Sequence, residues 1–147
     1  MSTKKDKFNE KDHYYMSLAI NLAKNKKNLT GTNPSVGCVI VKNNRVVTFG
    51  STNINGRPHA ETIALNRNKN NNNGSTLYVS LEPCSHYGKT PPCTKAIVKS
   101  KVKKVIYSIE DNDFRTHKKS KKILKSKKIF VQSGLLSKET RKFYKIY

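Results

Sequence analysis

Two short motifs contain residue types that can bind a metal ion and move a proton. In the first, His59 is followed two residues later by Glu61; in the second, Cys84 is followed after eight intervening residues by Cys93. One histidine and two cysteines are ligands that zinc prefers, and a zinc site with three protein ligands keeps a fourth position open for catalysis. Glu61 is not needed as a fourth ligand. It is a candidate general acid and base for a water molecule that the metal activates.

Both motifs stand where a predicted strand and loop end and a predicted helix begins. The partial positive charge of a helix N-terminus favours thiolates and developing negative charge. Each residue taken singly has an ordinary alternative. His59 can cap its helix, and Glu61 can be a first-turn charge. Cys84 and Cys93 can be packed thiols or a disulfide. Their joint occurrence, in this order and after predicted strands, favours a zinc site.

Hydrophobic periodicity predicts the elements that must position these motifs. The continuous apolar run 36–41 is typical of a buried strand, and Asn43-Asn44 is a turn signal that makes 36–41 and 45–50 a hairpin. The later strands alternate with helices, which predicts an α/β protein with a mixed sheet and helices on both faces. The predicted helices are 12–28, 59–68, 94–100, 117–127 and 137–147, and the predicted strands are 36–41, 45–50, 76–81, 104–109 and 129–132. The asparagine-rich segment 68–74 is predicted to be a surface loop.

A long local match accompanies the metal motif. The segment from Pro83 to Cys93, the run from Thr32 to Val41 and the run from Leu77 to Glu82 together resemble the deaminase domain of the bifunctional riboflavin-biosynthesis proteins, whose second half is a reductase. The resemblance implies a cytidine deaminase-like fold, with three α/β/α layers and a five-stranded mixed sheet between helices. It also implies hydrolytic deamination of 2,5-diamino-6-(5-phosphoribosylamino)pyrimidin-4(3H)-one to the corresponding aminouracil, with release of ammonia.

The same resemblance implies a role for eight residues. The implied zinc ligands are His59, Cys84 and Cys93, and the implied proton shuttle is Glu61. The implied substrate contacts are Asn33, His86, Lys89 and Asp111. An asparagine amide can donate to and accept from a pyrimidinone at once, and a lysine is a mobile point charge suited to a phosphate.

Two positions differ from the pattern of the resembled family. Thr52 stands where a histidine is usual, seven residues before His59. The loop 111–120 contains no glycine, whereas the family's loop is rich in proline and glycine. We therefore expect any contact of this loop with a phosphate to come from side chains, with Arg115 and Lys118 as candidates.

The 147 residues have room for one domain. We expect a disordered arm over 1–11 and a single zinc-dependent deaminase domain over 12–147. The reductase half has no counterpart in this sequence, so the chain is either a stand-alone deaminase with a separate reductase as partner or a fragment of a bifunctional protein. We also expect a homo-oligomer. Cys38, within an apolar strand, is expected to be core packing.

The net charge of +21 would suit a protein that binds nucleic acid. However, only five of the 30 basic residues are arginines, the residue that nucleic-acid-binding proteins usually favour. We therefore predict that nucleic acid is not a partner. A deaminase of tRNA adenosine or (deoxy)cytidylate remains the first alternative. A non-catalytic zinc-bearing RNA-binding module is the second alternative. Glu61 argues against it, because a structural zinc site does not need that carboxylate. No apolar run suggests a membrane span or a secretion signal, and a cytoplasmic location is expected.

Overall fold

The computed structural model of the chain describes residues 6–145. Over this range it contains five α-helices, five β-strands and one short 3₁₀ turn at Ile54–Gly56. The helices are α1 (Glu10–Asn25), α2 (Ala60–Arg67), α3 (Cys93–Ser100), α4 (Lys119–Ser126) and α5 (Ser137–Tyr144). The strands are β1 (Gly37–Lys42), β2 (Arg45–Ser51), β3 (Thr76–Leu81), β4 (Lys104–Ile109) and β5 (Phe130–Ser133). Each predicted element is present, with ends that differ by at most a few residues.

The five strands form one mixed sheet in the order β2-β1-β3-β4-β5. The hairpin predicted from Asn43-Asn44 is present, since β1 pairs antiparallel with β2 and both asparagines have positive φ angles. β1 is also antiparallel to β3, whereas β3, β4 and β5 run parallel to one another. This arrangement confirms the predicted five-stranded mixed sheet.

Each face of the sheet buries its own apolar core because side chains alternate along every strand. Helices α2, α3 and α4 cover one face, where Val79, Ile97 and Leu124 are among the buried residues. Helix α1 packs on the other face through Met16 and Ile20. Helix α5 joins α1 there, with a hydrogen bond of 2.6 Å between the hydroxyls of Thr140 and Ser108 on β4. The result is the predicted three-layer α/β/α arrangement.

The parallel pairing of β3 and β4 decides where the loops after these strands meet. Leu81 pairs with Ile109 at the last position of both strands. Two parallel neighbours end at the same edge of the sheet, so the loop 82–92 and the loop 110–118 lie side by side. Helix α2 begins near the same edge, because it follows β2 and packs against β1 and β2.

The N-terminal part of the domain starts earlier than the sequence predicts. Phe8 is buried, and Asn9 caps α1 in a capping box with Asp12, so the helix begins at Glu10. The disordered arm predicted over 1–11 is therefore wrong for residues 6–11, and its first five residues lie outside the described range. Residues 146–147, predicted to continue the last helix, also lie outside it.

One residue of the asparagine-rich segment is buried. Asn72 is 4% exposed, and its Nδ2 donates to the Leu65 carbonyl at the end of α2, at 3.0 Å. It adds a second donor to a carbonyl of the last helical turn, which also accepts from the Asn68 N–H at 3.3 Å. The surface loop predicted over 68–74 is thus correct for the exposed asparagines at 70, 71 and 73 but wrong for Asn72, and Asn68 is half-buried. Among the described residues, no helix has the length and apolar character required to cross a membrane.

Candidate functional site

His59 and Glu61 are placed by the beginning of α2. His59 is the N-cap residue and has extended backbone angles, and its side chain makes no capping hydrogen bond. The imidazole is therefore available for another partner. Glu61 lies in the first turn of α2 and is 4% exposed. Burial of a charged carboxyl group is costly because the group loses its hydration, unless other groups or a metal ion compensate for the loss.

Cys84 and Cys93 are placed by the end of β3 and the beginning of α3. The backbone N–H of Cys93 donates to the Cys84 sulfur at 3.1 Å, and the N–H of Thr94 donates to the Cys84 carbonyl at 3.2 Å. These contacts fold the loop 84–93 back on itself, so that its first and last residues meet. The first N–H of α3 thus points at a sulfur, which favours a thiolate there.

The three side chains predicted to bind a metal come together in the fold. His59 Nδ1 lies 3.7 Å from Cys84 Sγ and 3.5 Å from Cys93 Sγ. All three ligand atoms lie within 4.8 Å of one another. A nitrogen about 2.0 Å and a sulfur about 2.3 Å from a tetrahedral zinc ion are about 3.5 Å apart. The donor types and the separations therefore both fit zinc.

The same cluster shifts the acidity of its members. The hydrogen bond from the Cys93 thiol, helped by His59, lowers the pKa of Cys84 to about 4. That bond and burial raise the pKa of Cys93, and the bond to Cys84 raises the pKa of His59. Burial is the main cause that raises the pKa of Glu61 to about 7, and the Cys84 thiolate adds to it. A carboxyl with a pKa near neutrality can both accept and return a proton.

A cavity of about 410 Å³ adjoins this cluster, and its wall brings together most of the predicted site residues. Its lining includes His59, Cys84, Glu61, Asn33, His86 and Asp111. Cys93 is buried behind it at 2% exposure. The cavity has room for a small heterocycle beside the metal ligands, which fits a catalytic site better than a closed structural one.

Three of the four predicted substrate contacts are held in place by the protein. Asn33 Nδ2 donates to the Gly56 carbonyl at 3.0 Å, which leaves its Oδ1 and a second N–H for another molecule. His86 Nδ1 is 2.9 Å from the Thr116 hydroxyl, so its Nε2 is the nitrogen left for a ligand. Asp111 is fixed through its backbone, since its N–H donates to Glu82 at 3.1 Å and its carbonyl contacts His117.

Lys89 differs from the other predicted contacts, because it is exposed and is not among the residues that line the cavity. The arginines that line it are Arg57 and Arg115. Arg115 donates to Asp113 at 2.6 Å and lowers the pKa of that carboxyl to about 2. The positive charge of Arg115 is therefore compensated by Asp113. Arg57 donates to the Thr90 hydroxyl at 3.1 Å and has no ion pair with any described acidic residue.

The structure gives Thr52 a role of its own. It is 1% exposed, its hydroxyl accepts from the Val36 N–H at 2.9 Å, and its own N–H donates to the Val36 carbonyl. Thr52 also lines the cavity. The hydroxyl therefore joins β2 to the segment before β1 at the place where the resembled family has a histidine.

Sequence reasoning missed two residues at this site. Glu82 lines the cavity at 2% exposure and accepts several hydrogen bonds from the loop 111–120. A carboxylate directly after a buried strand was the available signal. Arg57 lines the cavity two residues before His59. No sequence pattern separates it from the other basic residues of this very basic chain.

Comparisons with known proteins agree with this geometry. The family model described as the cytidine and deoxycytidylate deaminase zinc-binding region matches residues 9–109. The diaminohydroxyphosphoribosylamino-pyrimidine deaminase of Buchnera aphidicola subsp. Schizaphis graminum is 46% identical, and the match covers 92% of each chain. The riboflavin biosynthesis protein RibD of Aquifex aeolicus is 42% identical over 90% of this chain, which spans only 37% of that protein.

Among solved structures, Acinetobacter baumannii RibD superposes with a TM-score of 0.84 at 41% identity. The match covers 92% of this chain and 38% of that chain. The present chain therefore spans nearly the whole length of the Buchnera relative but little more than a third of the RibD proteins. The chain belongs to the zinc-binding cytidine and deoxycytidylate deaminase family and, within it, to the riboflavin-biosynthesis deaminases.

Proposed function

We propose that this chain catalyses the hydrolytic deamination of 2,5-diamino-6-(5-phosphoribosylamino)pyrimidin-4(3H)-one to 5-amino-6-(5-phosphoribosylamino)uracil and ammonia. The observation that carries the proposal is the cluster of His59, Cys84 and Cys93 beside a cavity that also contains buried Glu61. Relatives with 40% identity or more are named diaminohydroxyphosphoribosylamino-pyrimidine deaminase or riboflavin biosynthesis protein RibD, which supports this substrate over a nucleotide or a tRNA. No contact in the described residues favours the alternative of a non-catalytic RNA-binding module.

A zinc site with three protein ligands keeps its fourth coordination position open for catalysis. His59, Cys84 and Cys93 would hold the ion, and Glu61 does not belong to the ligand group. Zinc bound there supplies Lewis acidity, which activates water near neutral pH. Glu61, in the first turn of α2, would accept a proton from the attacking water and hand it to the departing amine. The reaction adds the oxygen of water to the ring carbon and releases the amino group as ammonia.

The remaining predicted contacts would orient the ring. We assign Asn33 to the amide edge of the pyrimidinone, because the bond to Gly56 fixes its side chain and leaves Oδ1 and one N–H over. His86 and Asp111 also line the cavity; Thr116 holds the His86 ring, and Glu82 holds the Asp111 backbone. Fixed groups of this kind raise the rate because the substrate is bound in its reacting position.

A direct assay tests the proposal. The purified chain, loaded with zinc, is mixed with the diaminopyrimidinone substrate, and ammonia is measured together with the change in ultraviolet absorbance. We expect ammonia to be released in a one-to-one ratio with the uracil product. Activity on deoxycytidylate or on a tRNA, with none on the diaminopyrimidinone, would contradict the proposed substrate.

We assign the substrate phosphate to Lys89, which lies between the cavity-lining residues Gly88 and Thr90. Replacing Lys89 by alanine is expected to raise KM for the phosphorylated substrate about tenfold, because a charge-assisted hydrogen bond is lost. KM for a dephosphorylated analogue should change little. Steady-state kinetics with both substrates measure the difference.

Two other sets of variants test whether a different cationic side chain binds the substrate phosphate. Changing Lys122 and Lys125 on α4 to alanine should alter only the salt dependence, because exposed charges are screened beyond about 8 Å at physiological salt. If Arg57→Gln produces the phosphate-specific effect and Lys89→Ala does not, Arg57 is the phosphate contact and the assignment to Lys89 is wrong. A steep salt slope carried by the α4 lysines would instead point to nucleic acid.

We also propose two protein partners. A solved Thermotoga maritima relative is named as both a deaminase and a reductase, and a reductase is the first partner that we propose for this chain. A homo-oligomer is the second proposal, supported by the edge strand β2, on which Val46, Val47 and Phe49 are exposed. Analytical ultracentrifugation of the chain, alone and with a reductase, measures both.

A further inference from the structure

Glu82 is a buried carboxylate that the deaminase chemistry does not use. It is 2% exposed and follows directly after β3. Its backbone N–H donates to the Ile109 carbonyl at 2.9 Å, so the end of β3 is joined to the end of β4. Among residues 6–145 it has no cationic partner within ion-pair distance. A buried carboxylate without a cation needs hydrogen-bond donors in place of water.

Within the described part of the chain, all of the donors to its side chain come from one segment. Oε1 accepts from the backbone N–H of Asp111 at 3.1 Å and of Lys118 at 3.0 Å. Oε2 accepts from the backbone N–H of Ser120 at 3.1 Å and from its hydroxyl at 2.8 Å. A carboxylate offers about four lone-pair sites. These four bonds therefore use its whole capacity on the loop 111–120.

The loop also has internal hydrogen bonds, such as those from the Thr116 and His117 N–H groups to the Asp113 carbonyl, but the Lys118 N–H takes part in none of them. The loop contains no glycine, and Lys118 has a φ of 61°, which is unfavourable for a residue with a side chain. A conformation of this kind persists only when surrounding contacts enforce it. The bond from the Lys118 N–H to Glu82 is such a contact, at the residue with the strained angle.

The loop in turn forms one wall of the cavity. Asp111, Asp113 and Arg115 line the cavity from this side. Thr116, which is fully buried, accepts from the Ser85 N–H at 3.2 Å and contacts His86 Nδ1 at 2.9 Å. Displacement of the loop would therefore move its own cavity residues and release His86. Neither the loop nor His86 belongs to the metal cluster.

We propose that Glu82 is a positioning residue, whose buried carboxylate fixes the loop 111–120 and, through that loop, the substrate-binding wall of the cavity. It acts on substrate binding and leaves the proton transfer to Glu61. The effect on substrate rests on the proposed function, whereas the effect on the loop does not depend on it.

The test uses Glu82→Gln in the zinc-loaded chain. Glutamine keeps the shape but offers one acceptor oxygen, and its NH₂ faces donors. We expect KM for the diaminopyrimidinone to rise about tenfold or more, with kcat within about threefold of wild type and zinc content unchanged. Hydrogen exchange of the amides of Asp111, Lys118 and Ser120 should accelerate, while the amides of α1 and β1 keep their protection.

Two further variants provide the comparison. Ser120→Ala removes one of the four donors and should raise KM in the same direction but less. Glu110→Gln changes a neighbouring half-buried carboxylate that makes no hydrogen bond to another described residue, and it should behave as wild type. If Glu82→Gln does not fold, Ser120→Ala carries the test by the same KM and exchange measurements.

The outcomes separate the two proposals. Unchanged exchange in the loop 111–120 of Glu82→Gln would overturn the positioning role, as would a fall in kcat at unchanged KM or a loss of zinc. Faster exchange over the whole chain would also overturn it, because the residue would then support the fold in general. If the wild-type chain does not deaminate the substrate, the proposed function fails, and the exchange measurement still decides whether Glu82 holds the loop.

Discussion

Replacing Cys93 by alanine is expected to remove both the metal and the activity. Zinc content should fall from about one ion per chain toward zero, because His59 and Cys84 are too few ligands to hold the ion. Turnover should fall by about 10⁴-fold or more, since both the Lewis acid and the activated water are lost. Metal analysis of the dialysed protein and the ammonia assay measure the two effects. In the wild type, X-ray absorption should show one nitrogen at about 2.0 Å and two sulfurs at about 2.3 Å.

Cys38 provides the matched control for this variant. It is a free and fully buried cysteine on β1, in the core beneath α2. Cys38→Ala loses a similar volume from the interior but removes no ligand, so zinc content and turnover should stay close to wild type. A Cys93→Ala protein that retains a full zinc ion and its activity would show that Cys93 is not a ligand. A Cys38→Ala protein that loses zinc would mean that any cavity in this core disturbs the site.

The second large effect is expected from Glu61→Gln. Glutamine has the shape of glutamate but cannot carry a proton between water and the leaving amine, so turnover should fall about 10²–10⁴-fold. Zinc content should stay at about one per chain, because Glu61 is outside the ligand group. KM should change much less than kcat. Metal analysis and steady-state kinetics on the same preparation separate the proton-transfer role from a role in metal binding.

Glu139→Gln is the control for this change. Glu139 also lies in the first turn of a helix, α5, but it is exposed and is not among the residues that line the cavity. Removal of a first-turn charge should affect only the stability of that helix, by roughly 0.3–1 kcal/mol. If Glu61→Gln is as active as Glu139→Gln, then Glu61 does no more than complement the dipole of α2.

Much of the fold is readable from local sequence. The strands predicted at 76–81 and 104–109 coincide with β3 and β4, because each is an apolar run bounded by polar residues, and burial on both faces of a central strand requires such a run. The predicted helix beginning at 59 contains α2 for the same kind of reason, since its buried residues Ala60, Ala64 and Leu65 recur at helical spacing.

The candidate metal ligands were also readable from sequence. Histidine and cysteine indicate a metal site by their chemistry alone, since few residue types bind zinc. The long match around Cys84 and Cys93 then indicated the family. Spacing alone could not decide that His59 Nδ1 comes within 3.7 Å of both sulfurs, because that distance depends on how β2, β3 and two helices pack.

The remaining parts of the site were decided by contacts between residues far apart in the chain. Glu82 meets Lys118 and Ser120 only because β3 and β4 are parallel neighbours that end at one edge of the sheet. Arg57 lines the cavity and Lys89 does not, although both are basic residues in polar loops. Sequence by itself determined which elements form and which side chains could bind zinc, because periodicity and ligand chemistry are local. Only the tertiary structure decided which carboxylate holds the cavity wall and which cationic side chains line the cavity, because side-chain direction and strand order arise from packing over the whole chain.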